Sequence, residues 1–434
     1  MDPIAGGIIA LCLALLLLGV HVGFALLISG GVGLFLLAGF DTAWAQLSAM
    51  PYSASAIESL SVIPLFILMG MVFYRADYTK EIFDVAFRWV GGLRGGSVNA
   101  TTLASGIFGA ITGSSVAAAG VFSKVALPEM VRRGVDKRLA AGSIAAAGTV
   151  ASMIPPSMLL VMYGIITESS VAMLLTAGLL PGLLTILVYC VGVNLGVRLK
   201  PELAPTNDER YSWWERISSM RSLWGIVVIF AIVMGGIYQG FFTVTQAAAV
   251  GSAAAILLAV VQQKLKVKGL RNSFVDAAAQ TSSLMIIIVG GAVFARFLSY
   301  SGLVSVVSRT LEDAGLPSWV YLLIYILLFI ALGMFLEGYS MMVLALPIMF
   351  PLMMNLGFDP IWLGIITVKL AEIGLMTPPV GLNVFVVKSS SPVPITLKET
   401  FSGVWPFLVL ELVTLTILVL FPAIALFLPE TASS

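Results

Sequence analysis

The chain has 434 residues, of which 59% are hydrophobic and 10% are charged, whereas a soluble domain usually carries about 25% charged residues. Together with the mean hydropathy of +1.05, this excludes a soluble globular protein and predicts an all-α polytopic membrane protein. The net charge of +1 gives no signature of nucleic-acid binding. Cys12 and Cys190 lie in apolar runs without metal or redox spacing, so we interpret them as packing residues.

Hydrophobic stretches of about 15 to 25 residues recur along the chain. They lie near residues 4–18, 22–40, 57–74, 97–130, 140–166, 172–197, 222–240, 243–261, 275–298, 317–355, 361–387 and 401–428. His21, the single histidine, falls between the first two stretches. It is expected to line a turn or the membrane interface, and the alternative is a proton carrier.

The two longest stretches are interrupted by polar residues, at Thr112–Ser115 and Glu337–Ser340. We predict that each is a re-entrant hairpin of two half-helices. The segments 75–96, 124–138, 198–221, 264–271 and 388–398 then lie in the cytoplasm. They hold roughly 20 of the 23 Lys and Arg residues, as expected because cytoplasmic loops are enriched in these residues. Both termini are accordingly predicted to be periplasmic.

Short motifs recur at a nearly constant offset, which predicts two inverted repeats. Phe73–Arg75 recurs as Phe294–Arg296, Leu127-Pro128 as Leu346-Pro347, Pro155-Pro156 as Pro378-Pro379 and Gly178–Pro181 as Gly403–Pro406. We expect N-terminal scaffold spans (1–56), a first repeat (57–200), a cytoplasmic linker with connecting spans (201–274) and a second repeat (275–434). The first repeat has a hairpin at 97–130 and a broken helix at 140–166, and the second has a hairpin at 317–355 and a broken helix at 361–387. Amphipathic stretches at Tyr78–Gly91 and Tyr300–Ala314 are expected to lie in the membrane interface.

The hairpin tips and the double prolines are the candidate functional sites. Adjacent prolines remove two amide donors, so a span containing them is broken. Irregular backbone is tolerated in hydrocarbon only where it is buried or lines a cavity. The carbonyls of broken helices suit sodium, and their N-termini suit a carboxylate. The alternative interpretation is that these are packing faces and helix kinks.

Three intramembrane charges are also candidates. Lys369 and Glu372 are three residues apart on one predicted helix, so they can pair with each other or contact a substrate or ion. Glu337 can bind a cation at its tip or be solvated there. The chain has no P-loop, metal cluster or nucleophile elbow, so we predict that it is not an enzyme and that an ion gradient or a partner drives it.

Together these motifs resemble the large membrane subunit of the tripartite ATP-independent periplasmic (TRAP) transporters. The residues that carry the resemblance are Thr112–Ser115, Leu127–Met130, Ala146–Thr149, Ile154–Ser157, Tyr163-Gly164, Gly333–Gly338 and Gly374–Asn383. An uncharged polar residue is usual in the family where Lys369 stands.

The resemblance implies an ion-transporter-superfamily elevator fold and sodium-driven import of a small organic acid, such as a C4-dicarboxylate or a sugar acid like sialic acid. It implies sodium as the only cofactor and two protein partners, a periplasmic substrate-binding protein and a separate small four-helix membrane subunit, in the inner membrane of a bacterium or archaeon. The implied sodium-binding residues are Thr112, Gly113, Ser114, Ser115, Gly148, Thr149, Glu337, Gly338, Ser340, Thr377, Pro378 and Gly381. The expected substrate-binding residues are Ser115, Pro155, Pro156, Ser157, Lys369, Thr377, Pro379 and Asn383. The alternatives are a stand-alone sodium/carboxylate symporter and a non-transporting membrane scaffold.

Overall fold

The computed structural model of the protein describes residues 3–205, 211–303, 305–306 and 315–432. Within these ranges all regular secondary structure is helical, which confirms the predicted all-α class. Seven of the described helices are long and apolar enough to cross a membrane, and a bent pair of shorter helices provides an eighth candidate span. Helices suit hydrocarbon because they satisfy their own backbone polar groups.

The second and third of the three N-terminal helices pack against one long helix from the second half of the chain, and the first packs against the second. The three helices span Pro3–Leu17, Val22–Ala38 and Phe40–Ser55, and the long helix spans Val267–Tyr300. A methyl group at Gly30 would lie 2.8 Å from the Cα of Phe294. Glycine therefore allows the two backbones to approach closely, as is common between membrane helices.

The first half contains a folded-back pair of helices that we call the first hairpin, Gly96–Thr112 and Ser115–Arg132. Thr101 Oγ1 lies 3.7 Å from Met130 Sδ although 29 residues separate them, so the two arms lie side by side. The elements before the hairpin are Glu58–Ser61, Val62–Arg75 and Tyr78–Val90. The first broken helix follows as Lys137–Met153 and Met158–Thr167, with a 49° bend, and Val171–Leu199 comes next.

The second half contains a corresponding second hairpin, Ser318–Gly333 and Gly338–Asn355. Leu328 of one arm and Ile348 of the other line the same apolar cavity of about 230 Å³, so these arms also lie together. The second broken helix consists of Pro360–Met376 and Leu382–Ser390, and Leu397–Leu420 and Ala423–Ala432 complete the described chain.

The two halves use equivalent close contacts to join each hairpin to its broken helix. A methyl group at Gly109 would lie 2.2 Å from the Cα of Ala151, and one at Gly333 would lie 3.0 Å from the Cα of Gly374. Both double prolines contain a cis peptide bond, at Pro155-Pro156 and Pro378-Pro379. The same local construction thus occurs twice, as the repeated motifs of the sequence predict.

The halves are connected by short helices and two candidate spans. The connecting elements are Pro201–Leu203, Trp213–Ser219, Met220–Leu223, Trp224–Tyr238 and Val244–Val261. The first predicted amphipathic stretch is the helix Tyr78–Val90, and Lys264 Nζ lies 2.5 Å from Glu81 Oε1 of that helix. The second predicted amphipathic stretch, Tyr300–Ala314, lies mostly outside the described residues.

Candidate transport site between the hairpin tips

A cavity of about 310 Å³ lies where the two hairpin tips approach each other, and we call it the tip cavity. Its polar lining residues come from both tips and from the long helix Val267–Tyr300. They are Thr112, Ser114, Gln280, Ser283, Glu337 and Tyr339. Met158 and Leu382, which begin the helices after the two breaks, also line it. Residues from both repeats therefore meet around one cavity.

The tip of the first hairpin packs tightly on the first double proline. Gly113 has φ +57°, and a methyl group there would lie 2.3 Å from the carbonyl oxygen of Pro156. Glycine is needed at this position both for the left-handed backbone and for this contact. Ser114 caps the second arm by accepting a hydrogen bond from the Ala117 amide at 3.3 Å, and Thr112 donates its hydroxyl to Phe108 O. Both hydroxyl oxygens keep lone pairs that these hydrogen bonds do not use.

The first break is buried, and a side-chain hydrogen bond caps the helix that follows it. Pro155, Pro156 and Ser157 are all buried. Ser157 caps the following helix because its hydroxyl accepts a hydrogen bond from the Leu160 amide at 3.3 Å. Met158, the first residue of this helix, lines the tip cavity.

The tip of the second hairpin packs between the two broken helices. A methyl group at Gly338 would lie 2.8 Å from Leu159 Cδ2 and 3.4 Å from the Cβ of Ala371. Glu337 occupies the N-cap position of the second arm and lines the tip cavity. Ser340 is fully buried, and its hydroxyl has no hydrogen-bond partner among the described residues.

The second break brings polar side chains against the first repeat. The Thr377 hydroxyl donates to Ile373 O at 2.6 Å, and Gly381 has φ +60°. Pro378 is half-buried and Pro379 is exposed. Asn383 donates its amide to Ala145 O at 3.2 Å, while its buried Oδ1 has no partner among the described residues. A methyl group at Gly148 would lie 2.8 Å from the Ser115 carbonyl oxygen and 3.2 Å from Asn383 Nδ2.

The donor set at the tips and breaks fits a hard monovalent cation. It consists of hydroxyl, carbonyl and carboxylate oxygens, which are the ligands that hard cations prefer. Buried polar atoms in proteins are normally hydrogen-bonded, so the unpaired oxygens of Ser340 and Asn383 are available to a cation. The broken helices add free carbonyls of the kind that coordinate sodium in secondary transporters.

Of the sequence-predicted site residues, Thr112, Ser114 and Glu337 line the tip cavity. Two others, Thr149 and Lys369, belong to a separate buried ion-pair network. The Thr149 hydroxyl donates to Glu411 Oε1 at 2.8 Å, and Lys369 forms a buried ion pair with Glu411. Lys369 Nζ also donates to Thr185 Oγ1 at 3.0 Å. The sequence analysis considers Glu372, on the same helix, as the partner of Lys369. In the structure the ion-pair partner is instead Glu411, on another helix.

Several residues of the site region are not among those predicted from the sequence. Gln280 and Ser283 line the tip cavity from the long helix, and His21 Nε2 lies 3.0 Å from Ser283 Oγ. The polar run from Gln280 to Ser283 within an apolar stretch is the signal that could have found them. Glu411 had an equal signal, since it is an acidic residue in the middle of the apolar helix Leu397–Leu420.

The comparisons with known proteins agree on one family. Residues 9–424 match the family model described as "Tripartite ATP-independent periplasmic transporter, DctM component". The C4-dicarboxylate TRAP transporter large permease protein DctM of Pseudomonas aeruginosa is 35% identical over 380 residues, covering 87% of this chain and 88% of that protein. The ectoine TRAP transporter large permease protein TeaC of Halomonas elongata is 29% identical, covering 98% of each.

A solved structure supports the fold alone. The crystal structure of the Alcanivorax borkumensis YdaH transporter matches with a TM-score of 0.57 and 14% identity, covering 88% of each chain. The relatives are transporter permeases and not enzymes, in agreement with the prediction from sequence. The chain therefore belongs to the tripartite ATP-independent periplasmic transporter family, as its DctM component, the large permease.

Proposed function

We propose that this chain is the transport subunit of a sodium-driven importer of a small organic acid, which a periplasmic binding protein delivers. The observation that carries the proposal is the tip cavity, where both hairpin tips and the starts of both post-break helices meet. Amide groups at helix N-termini attract carboxylates. Hydroxyl and carbonyl oxygens on the same loops attract sodium, so a cation and an anion can be bound side by side.

The proposed sodium ligands are oxygens of the two tips and the two breaks. They belong to Thr112, Gly113, Ser114, Ser115, Gly148, Glu337, Gly338, Ser340, Thr377, Pro378 and Gly381. The proposed substrate contacts are Ser115 and Ser157 with the amides that follow the double prolines. Sodium next to the carboxylate lowers the cost of removing that charge from water, which couples the movement of the two.

We further propose an elevator movement. The hairpins are joined to the broken helices by backbone contacts at Gly109 and Gly374, so these elements can move as one unit. The other wall of the tip cavity comes from Val62–Arg75 and Val267–Tyr300, which supply Gly70 and Gln280. A cavity between a moving unit and a fixed wall can be carried from one side of the membrane to the other.

The partners follow from family membership. The chain corresponds to a large permease, so we propose a separate small four-helix membrane subunit and a periplasmic substrate-binding protein as the other two components. We place the complex in the inner membrane with both termini of this chain in the periplasm. The two relatives described above are named for C4-dicarboxylates and ectoine. A substrate screen therefore starts from C4-dicarboxylates and from ectoine.

The test is uptake into proteoliposomes that hold this chain with the small subunit, with the binding protein added outside. We expect uptake of a labelled organic acid that requires an inward sodium gradient and the binding protein, and that a potassium gradient does not support. Uptake by this chain alone would instead show a stand-alone sodium/carboxylate symporter. Absence of uptake with all three components and the substrate that the binding protein binds would point to a non-transporting scaffold.

A further inference from the structure

Glu372 is a fully buried carboxylate that forms no ion pair among the described residues. It lies on the first part of the second broken helix, five residues before Thr377, and its exposed fraction is 0%. Neither of its oxygens has a hydrogen-bond partner among the described residues. An ionised carboxylate removed from water is very costly unless an opposite charge or hydrogen bonds compensate it. The side chains that adjoin Glu372, Ser115 and Ser152, are neutral, so its negative charge has no positive counterpart of its own among the described side chains.

The ammonium group of Lys369, on the same helix as Glu372, already has an ion-pair partner. Lys369 lies one turn before Glu372 but forms its ion pair with Glu411, whose other oxygen accepts hydrogen bonds from Thr149 and Tyr189. The buried cluster thus contains one lysine and two glutamates, with a net charge of −1 when all three are ionised. One monovalent cation makes the cluster neutral, whereas a divalent cation would leave it charged.

The surroundings of Glu372 provide further oxygens. Ser115, at the tip of the first hairpin, and Ser152, just before the first break, adjoin its carboxylate. The Ser152 hydroxyl donates its hydrogen to Thr149 O at 3.1 Å, which leaves its lone pairs for a cation. The Ser115 backbone approaches Gly148 and Asn383, and Asn383 Oδ1 is a second buried oxygen without a partner.

We propose that Glu372 is the charged ligand of a sodium site enclosed between the first hairpin and the two broken helices, with Ser115, Ser152 and Asn383 as its neutral oxygen ligands. The site is distinct from the tip cavity, which Glu372 does not line. It rests on the proposed function in that sodium is the coupling ion. Because its ligands come from three elements, sodium here fixes the first tip against both breaks.

The test is thermal unfolding of the purified full-length chain in detergent, in NaCl and in KCl at equal ionic strength. Ligands that bind the folded state raise its stability, so the wild-type chain should unfold at a higher temperature in NaCl. Glu372→Gln keeps the shape and removes the charge. We expect it to lose most of the sodium-specific shift and to exceed the wild type in KCl, because no uncompensated carboxylate remains. Glu58→Gln, at an exposed glutamate, should retain the full shift.

A second variant keeps the proposal testable if Glu372→Gln does not fold. Ser152→Ala should raise the sodium concentration for half of the shift about tenfold, as expected for losing roughly 1.4 kcal/mol of binding. A full sodium-specific shift in Glu372→Gln, or an unchanged sodium dependence in Ser152→Ala, would overturn the site. One further outcome would overturn the site. If mildly acidic KCl raised the unfolding temperature of the wild type as much as NaCl does, but left that of Glu372→Gln unchanged, a proton would be the neutralising cation.

The failure of this site and the failure of the proposed function are distinguishable. A wild-type chain without any sodium-specific shift overturns the site, and the uptake assay then shows whether sodium coupling fails with it. A wild-type shift that Glu372→Gln retains in full overturns the Glu372 site while leaving sodium-driven import intact.

Discussion

Lys369 and Glu411 form an ion pair in which the side chains are 1% and 0% exposed. The pair connects the second broken helix to Leu397–Leu420, and hydrogen bonds from Thr149 and Tyr189 to Glu411 extend it to two helices of the first repeat. Four helices from both repeats are thus held by one buried polar network. Such a network is stable only when each member has its partner, because the interior offers no water to replace a lost one.

This network predicts a strong dependence of stability on both charges. Lys369→Met leaves Glu411 buried without its cation, and Glu411→Gln leaves Lys369 without its anion. Breaking a buried pair from one side costs about 3–5 kcal/mol, so each single variant should unfold at a clearly lower temperature. The measurement is thermal unfolding of the purified chain in detergent.

The double variant Lys369→Met/Glu411→Gln serves as the control. It removes both charges and keeps a side-chain oxygen that accepts from Thr149 and Tyr189, so we expect it to recover most of the lost stability. If the losses of the two single variants simply added in the double variant, the two residues would not act as a pair.

The tip of the first hairpin gives a prediction that separates transport from stability. Ser114 and Ser170 are both N-cap serines that accept an amide hydrogen bond over 3.3 Å, but only Ser114 lines the tip cavity. Ser114→Ala and Ser170→Ala should each lose about 0.5–2 kcal/mol of stability. Only Ser114→Ala should reduce sodium-driven uptake in proteoliposomes. Equal uptake by both variants would remove Ser114 from the transport site.

Local sequence features predict the breaks but not their limits. The double prolines place both helix breaks correctly, because proline lacks the amide donor and excludes the helical conformation before it. At the second hairpin the polar run Glu337–Ser340 suggested the interruption, whereas the structure ends the first arm at Gly333 and starts the second at Gly338. Tyr339 and Ser340 therefore belong to the second arm. A polar run can mark the start of a helix as well as an interruption, because polar side chains cap helix N-termini.

Contacts between distant helices could not be predicted in the same way. The spacing of Lys369 and Glu372 suggests a local pair, because residues three apart share a helix face. Glu411 lies 42 positions after Lys369 on a different helix, and its distance in space depends on how the two helices pack. The sequence alone therefore leaves open which of the two glutamates binds the lysine, and only the tertiary structure assigns Glu411.

The close contact between the second hairpin and the second broken helix predicts a severe effect of one added methyl group. In Gly374→Ala the new Cβ would lie 2.5 Å from the backbone of Gly333, so the hairpin must move away from the break. We expect a lower unfolding temperature and a loss of sodium-driven uptake, since the second tip is displaced. Gly235→Ala is the matched control because no atom lies within 4 Å of its new methyl group. It should gain up to about 1 kcal/mol from helix propensity and retain uptake. Wild-type unfolding and uptake in Gly374→Ala would show that the hairpin does not need this contact.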